Sequence, residues 1–220
     1  MSRVAVPGTA RLFRMLFPQI AVFTYIRALR RVLADCSSCL DVGCGATSPV
    51  RFLRFEYAVG LDAHPPTLKQ ARILQTHDDY LGIPAQEIGS HFGEASFDCV
   101  VALDLIEHLA KDEGYALMAA MERIARKRIV LFTPNGYLPQ HSHEGDLQEH
   151  RSGWTAGELR RLGFRVVGMH GHRLLRGEEH RLRLHPRALG GALAVASHHL
   201  YTRAHPEAAA ALLCIKEHPA

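Results

Sequence analysis

Cysteine is scarce in this 220-residue chain and forms no framework. Cys36, Cys39, Cys44, Cys99 and Cys214 are odd in number and irregular in spacing. That excludes a disulfide-stapled secreted domain and makes a reducing cytoplasm the expected setting. Cys36 and Cys39 do make a C-x-x-C, but zinc needs a second ligand pair and redox chemistry an activating environment. The pair reads as small residues leading into a buried strand. Long apolar runs are also missing: no stretch reaches the roughly 18 uncharged apolar residues of a membrane span. Nor does the N-terminus show the charged head, apolar run and cleavage site of a signal peptide. Charge of one sign is lacking as well. Lys and Arg number 26 against 22 Asp and Glu, too small an excess to announce a nucleic-acid partner.

What is present is a chain 47% hydrophobic and 22% charged, enough for one domain with a sizeable core. Short apolar runs alternate with helical patterns, the signature of a parallel sheet covered on both faces. Strands are expected at residues 39–43, 57–62, 79–83, 97–103, 128–133, 164–170 and 209–215. A helix follows the second strand near "HPPTLKQAR", where proline suits the first turn. The helix after the fourth carries an apolar stripe of Leu105, Leu109, Tyr115, Leu117, Met118, Met121 and Ile124. Thr155 and Glu158 make a capping box for a short helix that Gly163 stops. An Ala-rich helix spans about 188–201.

Residues 1–35 are expected to form a helical cover over a domain of residues 36–220. Ile20, Phe23, Ile26, Leu29 and Leu33 share one face of that cover, and Arg27, Arg30 and Arg31 another. Such a helix packs on its own protein's core or, through residues 17–33, makes weak contact with a membrane surface. Between residues 134 and 154 runs a polar loop long enough to suggest a functional lid.

The chemistry begins at "CLDVGCGATSPVRFL". An apolar run ends in Asp41, and a turn built on Gly43, Cys44 and Gly45 hands the chain to a helical pattern. A dinucleotide fingerprint wants a third glycine at position 48, where Ser48 stands. Asp41 would repel a pyrophosphate and welcome an ammonium group. Asp62 falls 19 residues after Gly43, near the spacing at which a carboxylate accepts hydrogen bonds from ribose hydroxyls. Sugar and cation together suggest S-adenosylmethionine.

Four motifs in order, "LDVGCG", "VGLDAHPPTLKQAR", "FDCVVALDLIEHL" and "IVLFTPNG", resemble the class I S-adenosylmethionine-dependent methyltransferases, in particular the small-molecule type related to quinone and metabolite methyltransferases. The resemblance covers about residues 35–170. It implies a Rossmann-like, doubly wound α/β fold of seven strands, mostly parallel with the last antiparallel. It also implies that Gly43, Cys44 and Gly45 lie against the methionine part with Asp41 near its amino group, Asp62 at the ribose and Ala63 against the adenine. Leu103 and Asp104 would line the pocket near the sulfonium. Thr47 stands where the family's third glycine falls, and residues 83–85 lack the acid often found near the adenine.

A hydroxyl acceptor must lose a proton, so a base is needed at the carboxyl ends of the strands. His150, His108 and Asp104 are the candidates, with Asn135 and Tyr137 around the acceptor. His141, His143, Glu144, Asp146, Glu149 and His150 match no standard metal spacing, and no metal is expected. The segment "FTPNG…HRSGWT" resembles a bacterial methyltransferase subgroup associated with cell-surface polysaccharide synthesis. That points to a small-molecule or glycan acceptor under a lid reaching from Tyr137 to Trp154. Two other readings compete: a non-catalytic cofactor-binding scaffold or regulator, and a nicotinamide-dependent reductase.

Overall fold

In a computed structural model of the chain, residues 22–139, 149–176, 182, 184 and 187–218 are described. A helix over residues 22–32 (α1) precedes β1 (Ser38–Val42), β2 (Tyr57–Leu61), α2 (Pro65–Ile73), β3 (Asp79–Leu81), α3 (Ile88–His91) and β4 (Phe97–Leu103). Then come α4 (Lys111–Ile124), β5 (Ala125–Pro134), α5 (Ala156–Arg161), β6 (Arg165–His172), α6 (Arg187–Ser197) and β7 (Ala209–Glu217). The seven strands form one sheet in the order β3-β2-β1-β4-β5-β7-β6. β7 runs antiparallel to both neighbours, and the pairs from β3 through β5 are parallel.

The strands are apolar on both faces because both faces are covered. Leu40, Val42, Val100, Ala102, Ile129 and Leu131 turn to one side, where Leu117, Met118, Met121 and Ile124 of α4 meet them. Cys39, Cys99, Val101, Val130 and Phe132 turn to the other, where α1 brings Tyr25 and Leu29. Alternation along each strand feeds the two layers in turn.

Several expectations shift. Ile26, Leu29 and Leu33 are buried as expected, but Phe23, placed on the same face of α1, is 61% exposed and Tyr25 is buried in its place. Ile20 lies outside the described residues. Tyr115, assigned to the stripe of α4, is 42% exposed and donates its hydroxyl to Glu158 at 2.6 Å. The box at α5 is half formed: Thr155 accepts from the Glu158 amide, but the Glu158 carboxylate turns to Lys111 at 2.7 Å. β5 starts three residues early. Its cationic stretch hides the strand pattern, yet Asp98 neutralises Arg126 and Lys127, and Asp35 and Glu217 flank Arg128. All five cysteines are free and buried. A hydrogen bond to Cys99 and burial push the Cys36 thiol up, and burial does the same at Cys39, so the C-x-x-C is inert packing. No helix among the described residues is long and apolar enough to cross a membrane.

Candidate active site

Between β1 and β4 the strand order reverses, and the crevice outside the carboxyl ends of such strands is where α/β folds bind ligands. The turn after β1 enters it with Gly43 at φ 70° and Gly45 at φ 58°, left-handed backbone that glycine adopts without strain. A side chain at Gly43 would meet Leu105 Cδ1 at 2.7 Å, whereas nothing lies within 4 Å of a side chain built on Gly45. The turn is therefore clamped at one glycine and open over the other.

Two carboxylates fix this turn. Asp62 accepts from the Gly45 amide at 3.0 Å through Oδ2 and from the His64 amide at 2.8 Å through Oδ1. It stays half-buried, and Ala63 beside it is exposed. Asp41 is 1% exposed. Its Oδ2 accepts a hydrogen bond from the Ser48 hydroxyl and lies 3.0 Å from His77 Nε2. Asp41 thus braces the turn from beneath, through partners that local spacing does not reveal. Gly60 was the available signal. Glycine inside a strand marks a close approach, and a side chain there would lie 2.7 Å from His77 Nδ1.

At the end of β4, Leu103 is buried and Asp104 sits at φ 56°, a conformation aspartate tolerates better than most residues. Asp104 is reachable by solvent, yet protein surrounds its carboxyl, and that desolvation pushes its pKa up. Three residues on, Glu107 is 3% exposed. Burial raises its carboxyl pKa and the nearby Asp104 raises it further, against hydrogen bonds that include one from Thr133. The Thr133 hydroxyl donates to Glu107 Oε2 at 3.0 Å.

Glu107 becomes central because the chain returning from the 134–154 loop docks on it. Its carbonyl accepts from the amides of Arg151 at 2.8 Å and Ser152 at 3.0 Å. The Ile106 carbonyl accepts from the Ser152 hydroxyl and the Trp154 indole at 3.0 and 3.1 Å. This clamp brings His150 to His108 with ring centroids 4.8 Å apart. Nδ1 of His150 lies 2.7 Å from the Leu138 carbonyl, and Nδ1 of His108 lies 3.1 Å from that of Glu149. A carbonyl only accepts, so each Nδ1 carries the proton and each Nε2 the lone pair.

The structure therefore brings Asp104, His108 and His150 to one end of the sheet and adds Glu107. It also corrects two placements. Trp154 is fully buried under Lys111, whose ammonium stands 3.4 Å from the ring centroid; it anchors the loop and has no face for an acceptor. The Asn135 side chain donates to the carbonyls of Pro206 and Ala209, both at 2.9 Å, which ties β5 to the start of β7. His141, His143, Glu144 and Asp146 lie outside the described residues. Sequence reasoning missed Tyr25, whose ring packs 4.4 Å from that of Phe132. Its buried hydroxyl has no hydrogen-bond partner among the described residues. Burial raises its pKa, and Asp104, Asp41 and Glu107 add to the rise, so it faces the same group of carboxylates.

Comparison with known proteins agrees with this geometry. A family model described as a methyltransferase domain matches residues 40–132, the span from β1 to β5. Among solved structures, an S-adenosylmethionine-dependent methyltransferase from Archaeoglobus fulgidus aligns over 93% of this chain and 99% of its own, with a TM-score of 0.57 at 16% identity. The methyltransferase domain of bacterial CtHen1 aligns over 93% and 100%, with a TM-score of 0.59 at 15% identity. A third match, over 87% of this chain and 88% of its own, is the complex of the Haloferax volcanii Trm112 methyltransferase activator with a methyltransferase; it has a TM-score of 0.56 at 16% identity. No curated protein matches the sequence.

The domain match over residues 40–132, the shared fold and the geometry of the site make this chain similar to class I methyltransferases that use S-adenosylmethionine. The residues present fit that cofactor: Asp62 offers carboxylate oxygens at the end of β2, open space lies over Gly45, and the Tyr25 hydroxyl has no hydrogen-bond partner among the described residues.

Proposed function

We propose that the methyl acceptor is a hydroxyl of a small molecule or glycan intermediate, bound between the glycine turn and the segment that carries Tyr137 and His150. One observation carries this reading: Asp104, His108 and His150, all able to take a proton, gather at the end of β4 where the cofactor's methyl would be presented. A nitrogen acceptor with a free lone pair needs no such base. A hydroxyl must lose its proton as the carbon–oxygen bond forms. Bound S-adenosylmethionine supplies an electrophilic methyl on a sulfonium, and the bond electrons return to sulfur as a neutral thioether.

The chain's own part is alignment and proton handling. Asp62 and the turn from Gly43 to Gly45 fix the nucleoside end, and Leu103 is a wall of the crevice. Nε2 of His150, with Nδ1 held on Leu138, is oriented to accept a proton. Tyr137 is 62% exposed, and its hydroxyl donates to the His150 carbonyl at 3.2 Å, which suits it to lie against an incoming ring. Five unpaired thiols support a cytoplasmic setting.

Incubation with methyl-labelled cofactor and fractionated small-molecule and glycan extracts tests the proposal. The label is expected in a methyl ether, and His150→Ala is expected to lower turnover roughly 100-fold or more while binding S-adenosylhomocysteine as tightly as wild type. Label on nitrogen or carbon overturns the hydroxyl reading, and full turnover in the variant removes His150 from the chemistry.

A further inference from the structure

The Glu107–His108–His150 cluster holds more than a proton acceptor requires. A Glu107 carboxylate oxygen and one ring nitrogen from each histidine lie within 4.8 Å of one another. Ligands around a first-row divalent ion at about 2.0–2.2 Å stand about 3–4.4 Å apart, so small rotations of three side chains close this set onto one ion. We propose that Glu107, His108 and His150 form a site for one divalent transition-metal cation beside the cofactor crevice, with coordination positions left for acceptor oxygen.

The surroundings support the assignment. Metal-bound histidines commonly donate the other ring N–H to a carbonyl, which fixes the tautomer, and ligating carboxylates are themselves hydrogen-bonded. Both histidines have Nδ1 at a backbone carbonyl, Leu138 at 2.7 Å and Glu149 at 3.1 Å. Glu107 Oε2 accepts from Thr133 at 3.0 Å. Two imidazoles with one carboxylate form a mixed nitrogen and oxygen set suited to manganese, iron, cobalt or zinc, and three protein ligands leave open positions.

Charge argues the same way. Glu107 is 3% exposed with Asp104 as a like-charged neighbour, and no lysine or arginine among the described residues pairs with it. Buried charge is normally paired or bound to metal, and two positive charges here would neutralise both carboxylates. Sequence spacing concealed the set, because residues 107 and 108 come from the turn after β4 and residue 150 from the far side of the loop. The cation's action on an acceptor hydroxyl, whose oxygen would bind it and whose O–H it would acidify, rests on the hydroxyl reading above; its binding does not. With the ion bound, the imidazole lone pairs are its ligands, and Asp104 in place of His150 takes the proton.

The test uses the full chain, stripped of metal with a chelator and titrated with Mn2+ by electron paramagnetic resonance and with Co2+ by visible absorption. Wild type is expected to bind one equivalent. Glu107→Gln, which preserves size and an oxygen for Thr133, and His150→Asn are each expected to bind at least 10-fold more weakly. Calorimetric binding of S-adenosylhomocysteine, unchanged in both variants, shows that the fold persists. Failure of wild type to bind Mn2+, Co2+ or Zn2+, or equal binding by all three proteins, overturns the site. The hydroxyl reading would survive that result, because the position of the transferred label decides it separately.

Discussion

The two ends of the crevice are built on opposite plans. At the cofactor end each carboxylate is held by hydrogen-bond partners: Asp41 by Ser48 and His77, Asp62 by the amides of Gly45 and His64. At the acceptor end burial raises the carboxyl pKa values of Asp104 and Glu107, and the nearby Asp104 raises that of Glu107 further. The first end is assembled before any ligand arrives. The second stores unfavourable electrostatics that a cation, or a proton from the acceptor, relieves. A pocket with perturbed carboxylates and convergent imidazoles is what functional sites look like, and the contrast assigns binding to one end and chemistry to the other.

The largest test of this contrast attacks what holds the acceptor end together. Trp154 fastens the returning loop to the turn after β4, with its indole on the Ile106 carbonyl and the Ser152 hydroxyl and its ring under Lys111. Gly114 exists to admit it, since a side chain there would lie 2.5 Å from Trp154 Cζ2. Trp154→Ala is expected to cost about 3–5 kcal/mol of stability, read from urea denaturation. If the two ends are separately built, the folded fraction of the variant binds S-adenosylhomocysteine with wild-type affinity; equal losses at both ends would merge them into one unit.

A smaller effect is expected at the cofactor end. Asp62→Ala removes the proposed ribose acceptor together with the latch on Gly45 and His64, and should weaken S-adenosylhomocysteine binding by about 1.5–3 kcal/mol, roughly 10- to 150-fold. Metal binding should be untouched. An unchanged dissociation constant in calorimetry would mean that another acid holds the ribose, and the contrast would then rest on Asp41 alone.

How much of this was legible differs between the same two ends. The strands and the glycine turn were readable because parallel strands buried on both faces give unbroken apolar runs, and because Asp41, Gly43, Gly45 and Asp62 lie close together in sequence at the ends of β1 and β2. His77 was not, since its partner Asp41 lies 36 residues back and only Gly60 hints that a ring passes there. At the acceptor end, Asp104, His108 and His150 were readable as residue types. Their partners were not: nothing in the spacing ties Glu107 to residue 150, and Tyr25 lay off the apolar stripe read for α1. Trp154 misled for the same reason, since an aromatic in a polar loop reads as a contact surface until the hydrogen bonds to Ile106 and Ser152 show it to be core. Amphipathic pattern located α1 but not all of its buried face, because the sheet selected Tyr25 over Phe23.

The smallest effect tests whether acid sensitivity belongs to the acceptor end at all. His198, in the turn after α6 and 6% exposed, has its pKa pushed down to about 4, first by burial and then by His199 and Arg203. Its Nδ1 has no hydrogen-bond partner among the described residues. The unfolded chain protonates this ring near pH 6.5, so between about 6.5 and 4 the unfolded state binds more protons. The stability that depends on a neutral His198 is therefore complete above pH 6.5 and is lost as pH falls through that window. Between pH 7.5 and 5 the loss should be on the order of 1–2 kcal/mol. His198→Gln should flatten the slope of stability against pH in urea titrations while leaving cofactor and metal binding as they are. An unchanged slope would move the acid-labile group elsewhere, and the histidines at the loop junction, His108 and His150, would be the next to replace.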